Sequence, residues 1–225
     1  LSSFRAADLA LGQPTPESGQ PNRGAGPSHS SLHTPKGMAL TPGGGLLIAD
    51  TGNNRVLFFS SVPLDTGMNA SAVLGQPDFQ SSAPSVTQTG LSAPCDPDLG
   101  TGGIISHVTA RVMAPVDVWS DGSRLMVVDG DNERVLIWST FPTANFQPAD
   151  LVLGQPDFTG KWPNGLSSPA QVPPPTARTL HAPQGAHSDG TSLAIADFRN
   201  NRVLVWSTFP TTSYQAADVV LGHAT

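Results

Sequence analysis

Apolar positions in this chain fall in short runs, and one pair of runs returns three times. The phrases are LLIADTGNNRVLFFS at 46–60, LMVVDGDNERVLIWS at 125–139 and LAIADFRNNRVLVWS at 193–207. In each, an apolar stretch ends in Asp, a small polar link follows, and Arg opens a second apolar stretch. Val, Ile, Leu, Phe and Trp fill both stretches, as in strands packed on two faces. The links TGNN, GDNE and FRNN suit tight hairpins, because Asn and Gly tolerate positive φ. A proline-led run precedes each pair: PKGMALT from Pro35, PVDVWSD from Pro115 and PQGAHSD from Pro183. GGG (43–45), DGS (121–123) and DGT (189–191) connect that run to the next, again with hairpin chemistry. A fourth run closes each unit: AVLGQP from Ala72, DLVLGQP from Asp150 and DVVLGHA from Asp218.

This pattern predicts a four-stranded antiparallel meander, repeated within a single domain spanning 1–225. The units are approximately 14–76, 77–155 and 156–223. DLALGQP, from Asp8, repeats the fourth run without the other three, so 1–13 reads as an extra fourth-strand segment. Self-similarity of this kind marks a repeat architecture, in which each unit buries its faces against its neighbours. The spacing between Asp50, Asp129 and Asp197 well exceeds the roughly 40 residues that four short strands need. The excess lies in 14–34, 77–114 and 156–182, which are rich in Pro, Ser and Gly. Long connections over one face of the molecule follow, and such loops are where binding is commonly added to a rigid scaffold.

Composition supports an all-β reading. The chain has 23 Gly and 22 Pro in 225 residues, and helix interiors reject both. Its formal net charge is −6 with only two lysines, Lys36 and Lys161, so nucleic acid is not an expected partner. No apolar run approaches the roughly 20 residues of a membrane span. Cys95 is the only cysteine, which leaves no internal disulfide. Few lysines with much Ser, Thr, Gly and Pro lean towards an extracellular, periplasmic or cell-surface protein. The first residue, Leu1, suggests a piece processed or excised from something longer.

The Asp that ends the second run and the Arg that opens the third recur as Asp50 and Arg55, Asp129 and Arg134, and Asp197 and Arg202. Five positions apart across a hairpin, each pair is expected to be a structural clamp, since every unit carries one. Trp138 and Trp206 stand where the first unit has Phe59, and are expected to pack between units.

The order P-x-G-hydrophobic followed by A-D-x-x-N-N-R-V-hydrophobic resembles the NHL repeat. Residues 35–59 and 183–206 fit it closely. Residues 115–138 fit with three departures: Asp117 for Gly, Val128 for Ala and Glu133 for the second Asn. The resemblance implies a β-propeller of four-stranded blades, three in this chain. Such rings usually have six blades and occur in binding proteins, scaffolds and a few lyases. Three blades leave apolar faces open, so the ring is expected to be completed to about six by a second copy or by a longer parent chain.

The innermost strand of such a ring is the proline-led one. His33, Met113 and His181 immediately precede it at equivalent positions, in LHTP, VMAP and LHAP, and would stand about one channel mouth. Trp119 and His187 are equivalent to one another and to Ala39 on that strand. Trp162, in a long connection, is freer to bind. These six residues form the candidate ligand site, with His29 and His107 as further imidazoles. No cofactor is expected. A divalent metal on His33 and His181 is an alternative, because imidazoles from different blades form such sites; the peptidylglycine amidating lyases, which resemble NHL-type propellers, are the precedent. G-x-S-x-G, H-E-x-x-H, P-loop and C-x-x-C motifs are all absent. The expected function is a non-catalytic binding or scaffold propeller taking a protein, small-molecule or carbohydrate ligand, with itself as a partner in a homodimer or array. Alternatives are a metal-dependent lyase or hydrolase and a structural surface component.

Overall fold

A computed structural model describes residues 7–84, 115–165 and 172–222. Each unit folds into one antiparallel sheet whose strands follow in chain order. The first sheet holds β1 (Met38–Leu40), β2 (Leu46–Asp50), β3 (Arg55–Phe59) and β4 (Ala72–Leu74). The second holds β5 (Asp117–Ser120), β6 (Leu125–Asp129), β7 (Arg134–Trp138) and β8 (Leu151–Leu153). The third holds β9 (Pro183–Ser188), β10 (Leu193–Asp197), β11 (Arg202–Trp206) and β12 (Val219–Leu221). All four expected runs of every unit are therefore strands.

The central hairpins keep one register, closing on the pairs Asp50 with Arg55, Asp129 with Arg134 and Asp197 with Arg202. Each link is a short 3-10 turn followed by one left-handed residue: Asn54 at φ 52°, Glu133 at φ 57° and Asn201 at φ 52°. Asn adopts that conformation readily, whereas Glu does so at a cost.

Alternation along the strands divides side chains between the two faces of each sheet, and both faces are apolar. Leu47, Ala49 and Val56 of the first sheet meet Val127, Leu136 and Trp138 of the second. Met126, Val128 and Ile137 on the other face of the second sheet meet Leu193, Ile195 and Trp206 of the third. Trp138 and Trp206 are almost fully buried, and their indole N–H groups donate to the carbonyls of Gln147 and Gln215. Their role as packing residues is thus visible in both space-filling and satisfied polarity.

The two ends of this stack differ. On the outer face of the first sheet, Leu46, Ile48 and Phe59 are covered by Leu11, Leu32, Met68, Ala70 and Phe79. Val219 and Leu221 of the third sheet, and Phe198 of its hairpin link, remain exposed. Residues 7–13 form no strand, contrary to the expectation of an extra fourth one; a ladder needs a third strand to pair with, and this end offers none. The segment nevertheless lies where a fourth strand would lie. A Cβ on Gly12 would sit 2.7 Å from Leu32, just as one on Gly154, beside β8, would sit 2.6 Å from the equivalent Leu180. The Asn22 N–H bonds the Leu32 carbonyl and the Asn164 N–H bonds the Leu180 carbonyl, both at 2.9 Å.

Candidate functional site

Each unit carries one buried Asp–Arg clamp. Arg55 Nε lies 2.7 Å from Asp50 Oδ2, and the same distance separates Arg134 from Asp129 and Arg202 from Asp197. A hairpin asparagine, Asn53, Asn132 or Asn200, donates to the same carboxylate oxygen. Further guanidinium N–H groups reach carbonyls of the surrounding loops, including Ser28 and Ser31 for Arg55, Phe158 for Arg134, and Thr176 and Thr179 for Arg202. Each clamp therefore fastens long connections to a hairpin. The aspartates also define the approach to the inner strands: Asp50 Oδ1 accepts the His33 N–H and Asp197 Oδ1 accepts the His181 N–H, each at 2.7 Å.

His33 and His181 are thus held through their main chains by their own sheets. The His33 ring lies over Gly52, where a Cβ would come within 2.5 Å of its Cγ. Met113 and His107 lie outside the described residues. Trp162 sits apart, its carbonyl accepting from Gln155 and its ring under Lys161 Nζ at 5.2 Å. His29 bonds Asn69 at 3.0 Å. Among the described residues, no group of three or more His, Cys, Asp or Glu side chains is placed to hold a metal ion.

A cleft of about 640 Å³ opens where β1, β5 and β9 converge. Trp119 and His187, two of the six sequence candidates, line it; His33, His181 and Trp162 do not. Met38 and Leu40 supply exposed apolar surface at one side. His187 is exposed opposite Ala194 on β10. Trp119 is only 8% exposed and packs towards Phe209, so it forms wall rather than contact surface.

The cleft's carboxylate is Asp117, which sequence reasoning noted as a departure from the repeat but did not place in a site. Its equivalents on the neighbouring inner strands are Gly37 and Gly185. The Asp117 side chain occupies the space those glycines leave. A Cβ on Gly37 would meet Asp117 Cα and Oδ1 at 2.5 Å, and one on Gly185 would lie 3.5 Å from Asp117 Oδ2. The Ala186 N–H donates to Oδ2 at 3.3 Å. Burial pushes this carboxyl above the ordinary aspartate range, opposed by the Ala186 and Val118 N–H groups and by the His187 imidazole. The nearby Arg124 is engaged elsewhere, with Asp121 at 2.6 Å, the Gly190 carbonyl at 2.7 Å and the Phe209 ring at 3.9 Å.

Glu133 is the second departure with consequences. Its carboxyl is buried between sheets, accepts the Ala182 N–H, and is driven well above the usual glutamate range by desolvation. Only that backbone bond and the Arg199 charge oppose the shift, while Asp131 and Asp197 reinforce it. It clasps the turn that follows His181, so its role is to join the second unit to the third.

Residues 32–59, which span β1 to β3 and the approach to them, match the family model of the NHL repeat. The first unit thus carries an NHL repeat. The second and third units build the same sheet as the matched NHL unit, with the same clamp, although the family match covers the first alone. NHL repeats commonly serve protein binding and scaffolding. No curated protein matches the chain. Among the described residues, no helix is long and apolar enough to cross a membrane.

Proposed function

We propose that this NHL-repeat chain is a non-catalytic binding scaffold, one part of a ring of blades whose channel side receives the ligand. The observation that supports it most is the cleft at β1, β5 and β9. It has drug-sized volume, apolar walls and a few polar groups in Asp117, Ser120 and His187, the usual make-up of a binding site. The clamps, by contrast, consume their charges internally. Ring completion is supported by the exposed Phe198, Val219 and Leu221 of the third unit; Leu74 and Leu153, the counterparts of Leu221, are packed against the following unit. The occupant of that face in this reading is a further blade of the same kind, from a second copy or from a longer polypeptide.

Two measurements test it. Light scattering should give a molar mass above the single-chain 23.3 kDa and rising with concentration; a strictly monomeric protein at high concentration overturns assembly by copies of this chain. A backbone NMR screen with small neutral and charged fragments should shift amides at 117–120 and 185–187 together. Shifts scattered over the surface, or confined to the long connections, would refute the cleft as the binding site.

A further inference from the structure

The cleft has a chemical preference that can be read from its lining. Asp117 places a half-buried carboxylate among Met38, Ala39, Leu40 and Val118, and among the described residues no lysine or arginine lines the same space. Among the described residues no cation pairs with it in a salt bridge; the groups that face it are the backbone N–H groups of Ala186 and Val118 and the His187 imidazole. Among the described residues, His187 is the one other titratable side chain on the cleft wall. The second unit departs from glycine at this position alone of the three, so the carboxylate is not demanded by the strand geometry, which Gly37 and Gly185 satisfy without it.

Building on the reading of the cleft as a binding site, we infer that Asp117 selects ligands bearing a primary ammonium on an aliphatic stem, as in an alkylamine or a lysine side chain. The ammonium supplies the positive charge that the carboxylate lacks, and a charge-assisted hydrogen bond is stronger than one between neutral groups. The stem lies against Met38 and Leu40, whose apolar surface is otherwise in water. A neutral alcohol of the same length keeps the second contact and loses the first, and an unmatched charge in a partly desolvated site discriminates strongly.

The test titrates the intact chain with n-pentylammonium chloride, with 1-pentanol, and with a short peptide carrying one lysine, each followed by the amide resonances of Val118 and Ala186. Asp117→Gly and Asp117→Asn are titrated in parallel; the first restores the residue found in the other two units, so the sheet is expected to form. Pentylammonium should bind at least tenfold more tightly than pentanol, and both variants should abolish that advantage while leaving pentanol unchanged. Binding of the peptide alone would assign the source of the ammonium to a protein partner, and stronger binding of the free amine would assign it to a small molecule. Equal binding of amine and alcohol, unaltered in the variants, would overturn the selectivity while leaving the cleft a binding site. Binding of neither at 117–120 and 185–187 would overturn both.

Discussion

Asp129 and Asp117 stand in the same sheet, on adjoining strands, and have opposite circumstances. Asp129 is fully buried, 2.7 Å from the Arg134 guanidinium, and it shares Asn132 as a second donor. Its arrangement is copied at Asp50 and Asp197. Asp117 is half-buried, faces only the backbone N–H groups of Ala186, at 3.3 Å, and Val118 with the His187 imidazole, and has no copy, because the other units carry glycine there. One carboxylate is spent on the fold and the other is left with unused charge. In a repeat protein, a polar residue that recurs in every unit is explained by the unit itself, and one that departs from the pattern needs a local reason. Glu133 belongs with Asp117: it replaces the asparagine of the other hairpins, accepts a left-handed backbone, and reaches across to Ala182.

The strongest way to break this contrast is to remove a repeated charge. Arg134→Ala removes the guanidinium paired with buried Asp129 and frees the Phe158 carbonyl. Truncating one partner of a buried ion pair costs about 3–5 kcal/mol. Urea denaturation should report that loss, and pentylammonium binding to the protein that remains folded should be unchanged. A loss under about 1 kcal/mol, the range of exposed pairs, would mean the clamp is ornamental.

A smaller effect, of distinct sign, is expected at Glu133. Its folded carboxyl titrates well above its unfolded value because burial penalises the charged form. Between those two values the folded state holds more protons than the unfolded state, so stability falls as pH rises, with a limiting slope of about 1.4 kcal/mol per pH unit for one proton. Glu133→Gln keeps an oxygen to accept the Ala182 N–H and has no charge to lose. Its stability should fall less steeply than the parent's through that window, the remaining slope coming from Asp50 and Asp117, and should equal or exceed the parent at pH 8. A parent protein whose stability is flat from pH 4.5 to 8, or a Gln variant that keeps the slope, would place the titration elsewhere.

The sheets, their hairpins and the clamps were legible because each rests on local rules that the chain states three times. Alternating and continuous apolar runs gave the strands, Asn and Gly gave the turns, and the Asp-to-Arg spacing gave the ion pairs. The site was less legible. His33 and His181 occupy equivalent places in the unit, but equivalence in sequence says nothing of a shared site, and the structure ties their main chains to Asp50 and Asp197. Trp119 and His187 were placed on the inner strand, yet one is wall and the other exposed, since the sheets on either side of them differ. Asp117 was visible only as a mismatch to the repeat. That it lies between Gly37 and Gly185 depends on three inner strands, far apart in sequence, meeting at one place. The fate of residues 7–13 has a similar origin: their strand pattern is intact, but no neighbouring strand is there to satisfy it.

The finest test of the comparison is Asp117→Gly, where the expected change in stability is small. Glycine in a strand costs roughly 0.5–1 kcal/mol in chain entropy relative to alanine. Against this, the variant removes a carboxyl that burial holds above its normal range. For an acid shifted upward, the destabilising contribution is absent at pH below the unfolded value and complete above the folded one, so its removal favours the variant at neutral pH. The two effects oppose each other, and the net change at pH 7 should stay within about 1 kcal/mol. Lowering the pH towards 4 should shift the balance back to the parent, because its carboxyl is then protonated and no longer penalised. Denaturation curves at pH 4 and pH 7 read this crossover directly. A large loss at both pH values would show that Asp117 holds the three inner strands together, and would move it from the side of unused chemistry to the side of the clamps.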